Sequence, residues 1–214
     1  MKTLYLDTSS SFLYCAILED DNIIATVSEK LGNSLSILTL PKIEELLNNN
    51  NINIEEINKI VACNGPGSFT GIRIGLTIAK TISWAKKIPI VLISSLEAMA
   101  LSSLSYDYVV PSIDARRNYV YASVFDKKNN SFIMNEKYVS LDTLEIVLDN
   151  LDGSICYISN DDIKTDYDLQ PYIPDFKRII EFVKDREPVN PHLVDANYLK
   201  ITEAEENFLK SSND

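Results

Sequence analysis

β-Branched and aromatic residues open the chain in three short runs, 3–7, 12–18 and 23–30, separated by Ser-rich 8–11 and by Asp20-Asp21-Asn22. Such runs between turn-forming clusters predict a meander of two hairpins. Residues 34–47 then change period: Leu35, Leu38, Ile43, Leu46 and Leu47 follow helical spacing, interrupted by Pro41. Pro41 either kinks this helix or begins its second part, because its ring disfavours helical geometry at Leu40. A polar loop at 48–51, a buried-type strand at 59–63, a tight loop at 65–71, a helix at 72–86 and a strand at 90–93 follow. Ser94 or Ser95 is placed to cap a helix over 96–104.

The order then repeats. Residues 108–114, 119–125 and 132–139 read as strands joined by 115–118 and a turn at 126–130. Ser140 caps a helix at 141–149, a strand follows at 154–158, and a polar Asp-rich stretch leads to a helix at 175–184. Each half thus reads strand, strand, strand, helix, strand, helix. Each also ends its first strand on an aspartate, Asp7 in one and Asp114 in the other. A meander followed by alternating helix and strand predicts an α/β fold of mixed sheets flanked by helices. Two copies resemble the duplicated ribonuclease-H-like fold of the actin-like ATPase superfamily. The expected boundary lies within 102–107, giving a first lobe at 1–104 and a second at 105–214 that includes a C-terminal tail.

Charge and composition narrow the chemistry. The 214 residues carry 31 acidic and 20 basic side chains, a net charge of −11, which argues against this chain alone gripping a nucleic-acid backbone. A single histidine, His192, cannot build a multi-histidine metal site; it sits beside Pro191 and is expected at the surface. Cys15, Cys63 and Cys156 are odd in number and widely spaced, and Cys15 and Cys156 lie in apolar runs where a free thiol acts as a small hydrophobe. The N-terminal apolar run is too short for a secretory signal, and the longest apolar stretch, 12–18, is far below the ~20 residues of a membrane span. A reduced, cytoplasmic, soluble protein is expected.

Four of the six glycines fall in Asn64-Gly65-Pro66-Gly67-Ser68-Phe69-Thr70-Gly71-Ile72-Arg73-Ile74-Gly75. A Gly-rich loop from strand into helix suits an anion, yet this spacing fits neither the dinucleotide fingerprint nor the P-loop. A tight turn with Thr70 as helix cap explains it as well, and Phe69 either plugs its own core or anchors a partner. Gly71, Gly75 and Ala79, continuing near Ser83, form a stripe of small residues on one helix face. That stripe serves close packing on the protein's own sheet or a helix contact with another chain. Asp7 and Asp114 match the positions where actin-like enzymes hold metal and phosphate. The hairpins that follow them, Thr8-Ser9-Ser10 and Ala115-Arg116-Arg117, lack the glycines that admit a phosphate. The nucleotide machinery therefore reads as degenerate, the rival reading being an ATP-dependent small-molecule kinase using these two acids. Asp161, Asp162, Asp166 and Asp168 lack calcium-loop spacing and read as a solvated loop, and the lysine doublets 86–87 and 127–128 make no nucleic-acid stripe.

The run from Asn64 to Leu76 resembles the hallmark of the TsaB (YeaZ) family, accessory subunits in making threonylcarbamoyladenosine at position 37 of tRNA. Supporting likenesses are Leu6-Asp7-Thr8-Ser9, the stretches 94–100 and 113–121, Tyr198-Leu199-Lys200 and Glu203-Ala204-Glu205. The resemblance implies a two-lobed protein with no catalytic residues, cofactor or metal, Asp7 and Asp114 being vestigial. It implies docking on a TsaD-type transferase through first-lobe helices at 35–46 and 71–83, followed by a TsaE-type ATPase, with a homodimer possible for the lone chain. Membrane association and direct tRNA binding are not expected. The implied interface comprises Leu35, Leu38, Pro41, Phe69, Gly71, Ile72, Arg73, Gly75, Ile78, Ala79 and Ile82, so a bulky residue at 79 is expected to block docking and spare the fold. Family members often carry His-Ser where this chain has Asn33-Ser34, and the second lobe is shortened between Ile158 and Pro174.

Overall fold

The computed structural model describes residues 1–102 and 104–200. The first half contains β1 (Lys2–Asp7), β2 (Phe12–Glu19), β3 (Asn22–Lys30), α1 (Leu35–Asn49), β4 (Ile57–Cys63), α2 (Phe69–Lys86), β5 (Ile90–Ile93) and α3 (Ser95–Ala100). The second contains β6 (Tyr108–Asp114), β7 (Tyr119–Asp126), β8 (Ser131–Ser140), α4 (Leu141–Leu148), β9 (Ile155–Ile158), β10 (Asp168–Gln170) and α5 (Phe176–Phe182). The strands form two five-stranded sheets, β3-β2-β1-β4-β5 and β8-β7-β6-β9-β10. Strand for strand the second order repeats the first. Each sheet is mixed: β1 runs antiparallel to β2, with Leu6 opposite Cys15, and parallel to β4, with Leu6 opposite Ala62. This is the duplicated ribonuclease-H-like architecture.

Strand alternation builds the layers. Along β1 and β4, Leu4, Leu6, Ile60 and Ala62 face α1 and α2, while Tyr5, Val61 and Cys63 face the other way into a core between the sheets. That central core also takes Met99 of α3 and Phe176 and Ile179 of α5. A third cluster, including Val110, Val120, Leu144 and Leu148, packs α4 on the outer face of the second sheet. The two halves exchange helices: α3 packs on β6 and β7, and α5 on β3. After α5 the chain returns to the first sheet, where Val189 bridges Ile90, and Val194 joins the core under α1 and α2. We call the segment from Val189 to Lys200 the strap. It packs on the first sheet through Val189 and Val194 and reaches the second through Asn197, whose amide donates to Glu136 at 3.0 Å.

Several expectations change. α1 runs unbroken through Pro41. Both Pro41 and Ile37 are exposed, so water can serve the carbonyl that the ring cannot reach. α2 begins at Phe69, and its cap is Ser68, whose hydroxyl accepts from the Gly71 N–H at 3.2 Å, not Thr70. The Asp-rich stretch contains β10, which gave no β-branched signal. It runs parallel to β9 after a connection at 159–167 that holds no helix, so the second sheet has no counterpart of α2 there. The motif Glu203-Ala204-Glu205 lies outside the described residues. No helix among the described residues is long and apolar enough to cross a membrane. All three cysteines are free and buried, and burial pushes the Cys15 thiol up to about 12.

Candidate functional site

Two places were marked by sequence: the paired aspartates and the glycine loop with its helix. The structure brings the aspartates to one cleft of about 500 Å³ between the lobes, with Ser9, Tyr14 and Ser68 on one side and Arg116, Asn160 and Asp161 on the other. Asp7 is buried, its Oδ1 accepting from the Ser9 N–H at 2.7 Å and its Oδ2 from the Tyr5 hydroxyl at 3.4 Å. Asp114 makes the same turn in the second lobe, its Oδ1 accepting from the Arg116 N–H at 2.8 Å. Asp161, from the cluster expected to be a solvated loop, accepts from the Asp114 N–H at 3.0 Å. Asp7 and Asp114 thus each close a turn by bonding the backbone two residues on, and Asp161 braces the second of these turns from across the lobe. Burial raises the pKa of Asp7, opposed by the hydrogen bonds from Ser9. Tyr14 spans the cleft, accepting from the Asn160 amide at 2.8 Å, and burial pushes its phenol up to about 12. Among the described residues, no group of His, Cys, Asp and Glu is placed to hold a metal.

The glycine loop turns its polar groups inward. The Ser68 N–H donates to Ser9 O at 2.7 Å, the Ser95 N–H to Gly65 O at 3.0 Å and the Asn197 N–H to Asn64 O at 2.7 Å. The Thr8 hydroxyl donates to Gly71 O at 2.8 Å. The β1–β2 turn and the strap therefore hold the loop from two sides. A Cβ at Gly71 would run into the Thr8 carbonyl, and one at Gly75 into the Thr8 hydroxyl. This answers the question of the small stripe: it admits the protein's own turn.

The residues of the expected interface differ widely in exposure. Leu35, Gly71, Ile72, Gly75 and Ala79 are buried inside this chain and present almost no surface. Ala79 is 1% exposed, so a bulky residue there would overpack the core. Leu38, Ile78 and Ile82 are half-buried, and Pro41, Phe69 and Arg73 are exposed. Sequence reading missed three exposed apolar side chains on the same helices: Ile37 at 72%, Leu40 at 53% and Trp84 at 62%. Their signal was available, because α1 carries apolar residues on more of its circumference than one buried stripe requires. Phe69, 51% exposed, does not plug the core. Its ring stacks on Tyr198 of the strap with centroids 5.4 Å apart, and the Arg73 guanidinium lies 3.7 Å above it. His192 is exposed as expected and meets Trp84 edge-on at 6.3 Å.

The comparisons extend the resemblance over the whole chain. A family model described as "TsaD: tRNA N6-adenosine threonylcarbamoyltransferase" matches residues 29–151. The Bacillus subtilis "tRNA threonylcarbamoyladenosine biosynthesis protein TsaB" is 30% identical over 99% of both chains. The protein of the same name from Buchnera aphidicola subsp. Acyrthosiphon pisum is 28% identical over 86% of this chain and 89% of its own. A solved Pseudomonas aeruginosa structure, described as an uncharacterized protein with similarity to peptidase YEAZ, superposes with a TM-score of 0.78. It covers 93% of this chain and 99% of its own at 21% identity, which shows a shared fold.

Proposed function

Because this chain belongs to the TsaB (YeaZ) family, we propose that it is a docking and activating subunit for a TsaD-type transferase making threonylcarbamoyladenosine in tRNA. It does no chemistry of its own. The observation that carries this reading is the apolar surface left open on α1 and α2, at Ile37, Leu40, Pro41, Phe69 and Trp84. The cleft supports it from the other side. A kinase needs its acids free for metal and phosphate, whereas Asp7 and Asp114 are engaged in closing their own turns.

The transferase docks on the α1/α2 face, and a TsaE-type ATPase joins the pair. The lone chain uses the same apolar face to form a homodimer. tRNA is contacted by the partners, in keeping with a charge of −11, and the assembly works in the cytoplasm.

Reconstituted modification of tRNA tests the reading. With transferase and ATPase present, product formation should require this chain and survive Asp114→Asn, because that change removes a carboxylate without touching α1 or α2. This chain alone should show no ATP turnover. ATP turnover by the isolated chain that Asp114→Asn abolishes would overturn the proposal in favour of the kinase.

A further inference from the structure

Arg73 is the one member of the expected interface that carries a charge, and its surroundings are built. Its guanidinium lies 3.7 Å over the Phe69 ring and 5.9 Å from the Tyr198 ring, and its Nε donates to the Tyr198 hydroxyl at 2.9 Å. Phe69 and Arg73 lie one turn apart on α2, while Tyr198 arrives from the strap, which Asn197 anchors to the glycine loop at Asn64 and to Glu136 at 3.0 Å. Two distant parts of the chain thus fix the plane of one exposed arginine.

No carboxylate among the described residues pairs with it. Among the described residues, the acids of the first lobe pair with the N-terminal ammonium, Lys2, Lys42, Lys86 and Arg186. The guanidinium is exposed on a molecule whose net charge is −11. Nε is taken, and the remaining edge of the fork carries donors spaced to hold a carboxylate in two parallel hydrogen bonds. Phe69, half exposed beneath the guanidinium, supplies apolar surface beside such a pair.

We propose that Arg73 is the charged anchor of the docking surface and that it recognises an aspartate or glutamate side chain presented by the transferase. This rests on the docking role above and names the chemistry that the partner must bring. Tyr198 is a positioning residue: it holds the fork and makes no contact with the partner's acid in this account.

Calorimetric titration of the transferase with the full chain and three variants, each with its fold checked by thermal melting, tests this. Arg73→Gln should weaken binding by about 30-fold or more, the loss that follows truncating one half of a desolvated charge pair. Arg73→Lys keeps the charge and loses the fork, and should fall between wild type and Arg73→Gln. Tyr198→Phe keeps the ring and frees Nε, and should cost less than either arginine variant. Raising the salt concentration should weaken the wild type more than Arg73→Gln. Unchanged or tighter binding by Arg73→Gln would overturn the inference while leaving the docking role intact. Absence of wild-type binding would overturn the docking role and this inference together.

Discussion

At the level of single residues, the acids and glycines that looked functional are explained by the backbone they hold. Asp7 accepts from Ser9 as Asp114 accepts from Arg116, so the two aspartates close equivalent turns in both lobes. Asp7 is buried, and burial raises its pKa above the usual carboxylate range. Ionising it is therefore harder in the folded chain than in the unfolded one. The wild type should lose stability relative to Asp7→Asn as the pH climbs from about 4 through the raised pKa, and the gap should be smallest in acid. Denaturant melts of both proteins across that range check the sign. Gly75 gives a second prediction. Alanine there should favour an isolated helix by about 1 kcal/mol, yet its Cβ meets the Thr8 hydroxyl. Gly75→Ala should destabilise the fold by about 1–3 kcal/mol. In a Thr8→Ala background much of that penalty should disappear, a coupling that a double-mutant cycle reads directly.

At the level of elements, legibility followed local signal. β1, β2, β5 and β6 were readable because β-branched and aromatic residues fill them, and α4 because Ser140 caps it. β10 was not readable: Asp168-Leu169-Gln170 becomes a strand only because β9 offers it an edge. Pro41 was over-read, since a proline on an exposed helix face costs less than one in the core. The cap of α2 was misplaced by two residues because Ser68 and Thr70 are both plausible caps. Only the 3.2 Å bond from the Gly71 N–H to the Ser68 hydroxyl decides between them. Ser68→Ala should therefore cost about 1 kcal/mol in stability, and Thr70→Ala no more than about 0.5 kcal/mol. Equal losses in a denaturant titration would contradict the assignment. The small stripe on α2 was visible in the sequence, but its neighbour, the β1–β2 turn, is more than 60 positions away, as the Thr8–Gly71 bond records. The strap was invisible for a similar reason: Tyr198 meets Phe69 and Arg73 only through the fold.

At the level of the whole molecule, two copies of one topology have taken different parts. The first sheet keeps α1 and α2 on its outer face, whereas the second joins β9 to β10 without a helix at the position of α2. The exchange of α3 and α5 between the sheets joins the lobes through the central core, while α1 and α2 keep exposed apolar side chains at Ile37, Leu40, Phe69 and Trp84. The cleft between the lobes brings Asp7 and Asp114 together, each holding the turn that follows its own strand. In the proposed assembly the exposed side of α1 and α2, and not the small stripe, meets the transferase. The most direct measurement is calorimetric titration of the transferase with wild type, Leu40→Glu and Ala79→Leu, each melted beforehand. The account predicts that Leu40→Glu keeps the wild-type melting point and loses about 2 kcal/mol or more of binding free energy. It predicts that Ala79→Leu melts lower and binds normally where it remains folded. Undiminished binding by Leu40→Glu, with loss of binding by a fully stable Ala79→Leu, would contradict it.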